Sequence, residues 1–561
     1  MPHRRWIAFV LAAAALSGCT PAPPPAPNPP ASPSPAAGPV AVQPVAGIKQ
    51  TPRERLRQGG RLRIGLTEWT ADWNPWSADL PAHVAAALAA TRPRLFDTSA
   101  TGEFQPNPDW LDGAPAVEHD PVTRVVYRLN PQAVWGDGQP VTAADFRAAW
   151  QGCADQAADR PCASGRGFDA VAAVDEGETP REVVVTYTRP YPQWPLTFRD
   201  GPVRADAASG DPFAPWDNPA EHRDSQAGPY AAVAMTADAA ELTLTANPRW
   251  WGRPAALISI TLAHVPAGAL AGSVAVSEFD AWPLGADSAA YTAATLNAAL
   301  ELRRAPCAAW RVLLLDRTAP AFADRRVRQA VVAALDRSRV ALATLPGLAW
   351  TPETPNSLAW QPGQLDYDDL AAATGQPGFP ADAARLLDEA EWLLDGQRRR
   401  QDGQTLTLRY AVAAGDPAGE AEALQIRAQL AAVGVGVELV DVNRVEARPL
   451  AEQGVDLATV TWRNDLQPAQ RLQTEFGSTS PANRTGYANP TVDSLLATAA
   501  TAVDPRVSAD LTAAAETTVW LDAVVVPLYT EPDTWAVAPG VVNLGPSGLA
   551  TLRWEDVGFA N

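Results

Sequence analysis

Val125–Trp150 reads VVYRLNPQAVWGDGQPVTAADFRAAW, and its order of strand, turn and helix start decides how the rest of the chain is read. Val125, Val126, Tyr127 and Leu129 are β-branched, aromatic or apolar, which suits a largely buried strand. Gly136-Asp137-Gly138 then reverses the chain, because Gly takes the positive φ that tight turns need. Thr142 and Asp145 have capping-box spacing. The Thr142 hydroxyl is expected to accept from the Asp145 amide, and the Asp145 carboxylate to bond back near the positive end of the helix dipole. Phe146, Ala149 and Trp150 follow on one helical face. Nothing in the stretch supplies reactive chemistry; by itself it is scaffold.

Working outward, Gly60–Leu66 alternates as a strand and a Trp-rich loop follows it. Pro81–Leu95 reads as helix and Val183–Tyr187 as strand. Gly228-Pro229-Tyr230 opens a hairpin whose second strand is Leu242–Ala246. Arg325–Leu345 and Asp382–Leu394 carry helical apolar spacing. Strands at Leu406–Val412, Val435–Val442 and Val455–Trp462 then alternate with helices at Ala418–Val433 and Val445–Gln453. That alternation predicts a parallel sheet with crossover helices. Late helices are expected at Thr491–Ala502 and Ser508–Leu521, and a late strand at Val524–Tyr529.

A chain of 561 residues is too long for one core, so two or three lobes are expected. Hydrophobic residues make up 47% and charged residues 19%, a folding composition. The net charge of −19, with Lys49 the only lysine, leaves no basic stripe and argues against a nucleic-acid partner. The 20 Trp have two readings: core packing, or ring surfaces for sugar or acyl ligands.

Residues 1–19 read as a targeting segment. Arg4 and Arg5 precede the apolar run Trp6–Leu16, and Leu16-Ser17-Gly18-Cys19 is similar to a bacterial lipobox, with Cys19 the lipidated residue. The protein is therefore expected on the extracytoplasmic face of the cell membrane, lipid-anchored. Residues 20–55 are a Pro/Ala-rich stalk, whose proline-dense part would span about 75 Å in polyproline geometry. Cys153 and Cys162, nine apart, are expected to form a disulfide, leaving Cys307 free. The scattered histidines show no metal-binding spacing, and no P-loop or Gly-x-Ser-x-Gly elbow occurs. Hence no metal, no cofactor, no catalytic residue and no enzymatic activity are expected.

Seven motifs in order carry a resemblance. Gly60-Arg61-Leu62 through Asn74-Pro75, Trp135–Phe146, Gly228-Pro229-Tyr230 and Asn247-Pro248-Arg249-Trp250-Trp251-Gly252 come first. Arg325–Ala330 with Leu335-Asp336-Arg337, Ala384–Trp392, and Tyr487-Ala488-Asn489-Pro490-Thr491-Val492-Asp493 follow. Together they resemble the family 5 extracellular solute-binding proteins, the peptide, nickel and oligosaccharide receptors of ABC importers. The resemblance implies an α/β, periplasmic-binding-protein-like fold with two α/β lobes joined by a hinge and a small inserted lobe. On this chain the lobes would be 56–98 with 188–300 and 530–561 (lobe I), 99–187 (inserted lobe II) and 301–529 (lobe III).

It also implies a monomer that binds a small solute between lobes and docks on a membrane permease. In peptide-binding members an Asp after a third-lobe strand pairs with the ligand's α-ammonium, and Asp465 occupies that place. The alternative is that Asp465 pairs with Arg463 or caps a turn. Trp69, Trp73 and Trp462 are candidate cleft walls, with core packing as their other reading. The lipobox, stalk and Pro190-Tyr191-Pro192-Gln193-Trp194 segment also look like an actinobacterial lipoprotein branch associated with phosphatidylinositol mannoside and lipoarabinomannan synthesis. Two functions stay open: a receptor for a short peptide, or an envelope regulatory lipoprotein, which could bind a glycolipid.

Overall fold

Ten strands form the largest sheet of the computed structural model, which describes residues 47–77, 80–154, 167–205, 213–236, 240–345, 347–348, 350–374 and 380–561. In chain order they are β1 (Arg61–Leu66), β2 (Tyr230–Thr236), β3 (Glu241–Ala246), β4 (Ser259–His264), β5 (Ala281–Pro283), β6 (Glu301–Leu315), β7 (Thr407–Ala413), β8 (Gly436–Val442), β9 (Leu457–Arg463) and β10 (Val525–Val537). Their order across the sheet is β8-β7-β9-β6-β10-β5-β1-β4-β3-β2.

The long strands β6 and β10 sit in the middle, and alternate side chains of the C-terminal half of β6 and the N-terminal half of β10 enter cores on opposite faces. On β6, Leu313 and Leu315 enter one core while Trp310, Val312 and Leu314 enter another on the opposite face. The first core takes helices Arg325–Ala333, Pro380–Glu389 and Pro417–Ala432, and the second takes Pro468–Phe476, Pro490–Ala499 and Pro505–Asp522. Both faces are covered, so the strand reads as a continuous apolar run. At the other end, Leu62, Ile64 and Leu66 of β1 share a core with Trp73, Trp76 and a separate antiparallel sheet. That sheet orders Ala116–Glu118, Arg124–Arg128, Glu182–Tyr187 and Val171–Glu176.

The opening stretch folds as expected in outline. Arg124–Arg128 is the strand, Gly138 turns at φ +92 with its amide on the Trp135 carbonyl at 2.8 Å, and Ala143–Ala154 is the helix. The cap differs in one bond. The Asp145 carboxylate accepts from the Thr142 amide at 2.8 Å, but the Asp145 amide bonds the Thr142 carbonyl and not its hydroxyl.

Several expected elements are corrected. The sheet is mixed: β7 runs parallel to β8 and β9, but β9 is antiparallel to β6, and β6 to β10. The helix expected over Arg325–Leu345 is two helices, Arg325–Ala333 and Arg337–Thr344, because Asp336 caps the second by accepting from the Arg339 amide. The helix expected to reach Leu394 ends at Glu389. Leu393 and Leu394 belong to a small edge strand and are 59% and 57% exposed. The helix from Pro81 stops at Leu88, with a 3-10 turn to Thr91. In place of a helix over Val445–Gln453 there is only a 3-10 turn, Ala451–Gln453, and the Gln453 side chain ties the preceding loop to Glu446. Cys153 is disulfide-bonded and Cys307 is free; Cys162, its expected partner, and Cys19 lie outside the described residues.

Candidate functional site

Pairing between β6 and β10 breaks at the middle of the sheet. It runs from Glu301↔Val537 to Pro306↔Pro532 and resumes at Trp310↔Thr530, so Cys307, Ala308 and Ala309 stand against Glu531 alone. On one side of the break β10 pairs with β5; on the other β6 pairs with β9. Two prolines facing each other remove ladder donors there and weaken the pairing at this line.

Titratable side chains from distant segments gather at that line. Glu531, Asp533 and Trp535 alternate along β10 and so share a face. His83, in the helix Ala82–Leu88, stands between two carboxylates: Nδ1 is 3.4 Å from Glu68 Oε2 and Nε2 is 3.8 Å from Asp533 Oδ1. Its ring meets Trp535 edge to face at 5.6 Å. Burial alone would lower the His83 pKa, but hydrogen bonding to Asp533 and Glu68 raises it to about 9, so the ring is a cation at neutral pH. Glu68 is held below the usual carboxyl range by its bond to His83, with Arg463 of β9 adding to the effect.

Burial raises the Glu531 carboxyl, with Arg311 and Arg463 opposing it. Burial likewise raises Glu353, whose carbonyl accepts from the Thr530 amide at 2.8 Å. Cys307 is pushed up to about 12 by burial and by the charges of Asp533 and Glu531, which leaves the thiol protonated and poorly nucleophilic. Glu68 and Asp533 thus flank protonated His83, Glu531 lies within reach of the charges of Arg311 and Arg463, and Glu353 meets β10 at Thr530. The carboxyls are partly buried, apart from the exposed Glu68, and a cationic guest would favour the charged form that burial disfavours at Glu531 and Glu353.

The residues singled out from sequence fall in different places. Asp465 lies just beyond β9. Its Oδ1 accepts from the Gln467 amide at 3.0 Å and from Arg471 Nη1 at 3.1 Å. Arg471 is buried over the Trp310 ring, so its charge is balanced in part by Asp465. Trp462 is 4% exposed, edge-on to Trp310 and Phe476. Trp73 is fully buried, and Trp69 packs edge-on against it at 4.6 Å while keeping part of its surface open. Trp69 also faces His264 at 5.7 Å.

Sequence reading did not single out Glu68, His83, Glu353, Glu531 or Asp533, and named Arg463 only as an alternative partner for Asp465. One signal was available: Glu531-Pro532-Asp533 puts two acids and a proline inside a run that is otherwise strand-forming. Among the described residues no group of His, Cys, Asp and Glu could hold a metal ion, and no helix is long and apolar enough to cross a membrane.

Residues 106–484 match the model of the bacterial extracellular solute-binding proteins, family 5. The chain belongs to that family. It is 29% identical over 539 residues to the oligopeptide-binding protein OppA of Mycobacterium tuberculosis, covering 92% of this chain and 88% of that protein. It is 27% identical over 492 residues to the probable monoacyl phosphatidylinositol tetramannoside-binding protein LpqW of the same species, covering 81% and 73%. Its fold is similar to the solved periplasmic EDTA-binding protein EppA, with a TM-score of 0.78 at 22% identity over 93% of this chain and 100% of that one. The fold class is the periplasmic-binding-protein-like one with two lobes, as the motifs implied. The family relatives are solute-binding proteins.

Proposed function

We propose that this family 5 protein is the receptor of an ABC importer. It would bind a short peptide, or a similar small solute with an ammonium or guanidinium group, at the break between β6 and β10. The observation that carries the reading is the surplus of carboxylates there, with Glu531 and Asp533 on one strand face and Glu68 and Glu353 beside them. A ligand cation would offset their desolvation. Asp465 stays in the proposal as a further carboxylate for the ammonium, one that shares its charge with Arg471. No catalytic step is assigned. The lobes at 56–98 with 188–300 and 530–561, at 99–187 and at 301–529 would close over the ligand, and the closed form would dock on a permease as a monomer. Lipidation at Cys19 and the stalk would hold the receptor at the outer face of the cell membrane.

The likeness to LpqW supports a second reading, an envelope regulatory lipoprotein that binds a glycolipid. The charge balance speaks against it: a phosphodiester would bring another negative charge to a cleft already short of cations. Native mass spectrometry of the chain purified from its host separates the two. Co-purifying peptides, lost in the double variant Glu531→Gln/Asp533→Asn, are the expected result. A bound glycolipid would overturn the peptide reading, and peptides retained in that variant would overturn the assigned cation site.

A further inference from the structure

The break in β6 is braced by the Gln361 side chain and the Asn464 backbone, and the side chains of these two residues also shape a seam at Gly102. The Cys307 carbonyl accepts from Gln361 Nε2 at 3.0 Å, and the Ala308 carbonyl accepts from the Asn464 amide at 2.8 Å. These carbonyls belong to the residues that β10 leaves unpaired. Asn464 Nδ2 then donates to Gln361 Oε1 at 3.1 Å and to Gln364 Oε1 at 2.7 Å. Gln364 Oε1 also accepts from the Gln361 amide at 2.8 Å. Three side-chain amides are therefore joined in one cluster at the end of β9.

The other end of the cluster sets a backbone conformation. Asn464 Oδ1 accepts from the Leu466 amide at 3.1 Å, and Leu466 sits at φ +62, a left-handed conformation that Leu rarely takes. Its side chain meets the loop at Gly102, where an added Cβ would lie 3.0 Å from Leu466 Cδ2 and 3.1 Å from Gln364 Nε2. Gly102 itself has φ +90, so any side chain there is strained as well as crowded. The two sides of this seam also face each other across a cavity of about 270 Å³ walled by Gly102, Gln364, Asn464 and Leu466. A seam so loosely filled can part without tearing a core.

We infer that the Gln361–Asn464–Gln364 cluster couples the hinge to the closure seam. The Asn464 side chain, through Gln361 Oε1, holds the Gln361 amide on the Cys307 carbonyl, and through its own Oδ1 it holds Leu466 where Gly102 can seat. Movement at the break pulls Asn464 away, frees Leu466 from its strained conformation and unseats Gly102. Asn464 is thus a positioning residue for closure and need not touch the ligand. Unpaired buried backbone carbonyls are costly, so the cluster gives the hinge discrete states in place of a continuous flex.

This inference concerns closure of the cleft proposed above and rests on that reading, but its test needs no ligand and can fail separately. In the full chain carrying Cys19→Ser, Cys307 is the free thiol at the break and reports opening. Asn464→Ala, by losing well-made hydrogen bonds, and Gly102→Ala, by crowding Leu466 and Gln364 at a strained φ, should each speed maleimide labelling of Cys307 about tenfold. Each should also raise the radius of gyration in small-angle scattering, and the double variant should add little to either single one. Unchanged scattering in variants that stay folded overturns the coupling. Faster labelling without expansion means local loosening and overturns it too. If Asn464→Ala does not fold, Gln364→Ala reads the same cluster.

Discussion

Arg311 of β6 and Glu422 of the helix Pro417–Ala432 form a two-point ion pair: Nη2 to Oε2 at 2.7 Å and Nε to Oε1 at 2.9 Å. Glu422 is fully buried, and Tyr529 of β10 donates to its Oε1 at 2.6 Å. Arg311 Nη1 also donates to the Thr461 hydroxyl at 3.1 Å, and Thr461 donates to Glu531 at 3.3 Å. The pair therefore stands one hydroxyl away from the acids of the cleft. Removing Glu422 leaves buried Arg311 with Asp416 Oδ2, 3.1 Å from Nη2, as its remaining carboxylate, so Glu422→Ala should cost about 3 kcal/mol in urea unfolding. Replacing both residues by apolar ones of similar volume should cost much less. Equal losses in the two variants would mean that packing, not charge, dominates here.

His83 sets a pH dependence whose sign follows from its partners. Its pKa is raised to about 9 from an ordinary value near 6.5, so protonation is favoured in the folded state. The stability this contributes is fully present below about pH 6.5 and is lost as pH rises through about 9. The gap corresponds to roughly 3 kcal/mol at most, which solvent reaching the Glu68 side reduces to about 1–2 kcal/mol. Thermal unfolding of the parent and of His83→Asn, compared at pH 6 and pH 10, measures it. The parent's advantage should shrink at the higher pH; a constant gap would remove His83 from the ionic bridge.

Asp145 holds two amides from a buried position, those of Thr142 at 2.8 Å and Ala205 at 2.9 Å. The first starts the helix Ala143–Ala154, and the second ties a distant loop to it. Asp145→Ala should therefore cost about 2 kcal/mol, more than the usual cap, because two donors lose their acceptor. Denaturant midpoints at unchanged m value test this.

That aspartate also marks where local reading works. Strand, glycine turn and cap in Val125–Trp150 are short-range features, and they fold in place. Asp336 failed as a signal because a capping Asp between two helical runs looks like a surface Asp within one. Leu393 and Leu394 continue a helical period past Glu389 and yet are exposed, because Glu391 turns the chain at φ +64. The cleft was the least legible part. Its acids and cations come from positions 68, 83, 353, 463, 531 and 533, and no period or spacing links them. They meet where β6 and β10 lose register beside two prolines, a property of the pairing and not of either strand.

Trp69 and Trp462 should separate experimentally, although the sequence gives both the same two readings. Trp462 alternates inward on β9 and is wedged edge-on between Trp310 at 6.2 Å and Phe476 at 5.9 Å. Trp462→Ala removes a whole indole from a filled core and should cost about 3–5 kcal/mol. Trp69 lies in the loop after β1, half-buried, with one edge on Trp73 and open surface left. Trp69→Ala should cost about 1 kcal/mol, because only part of the ring is out of water. If the open face of Trp69 borders the ligand, the same variant should weaken binding of the co-purified peptide more than it weakens the fold. Calorimetric titration beside urea unfolding decides it. A Trp69→Ala protein that loses stability but keeps full affinity would return Trp69 to the core.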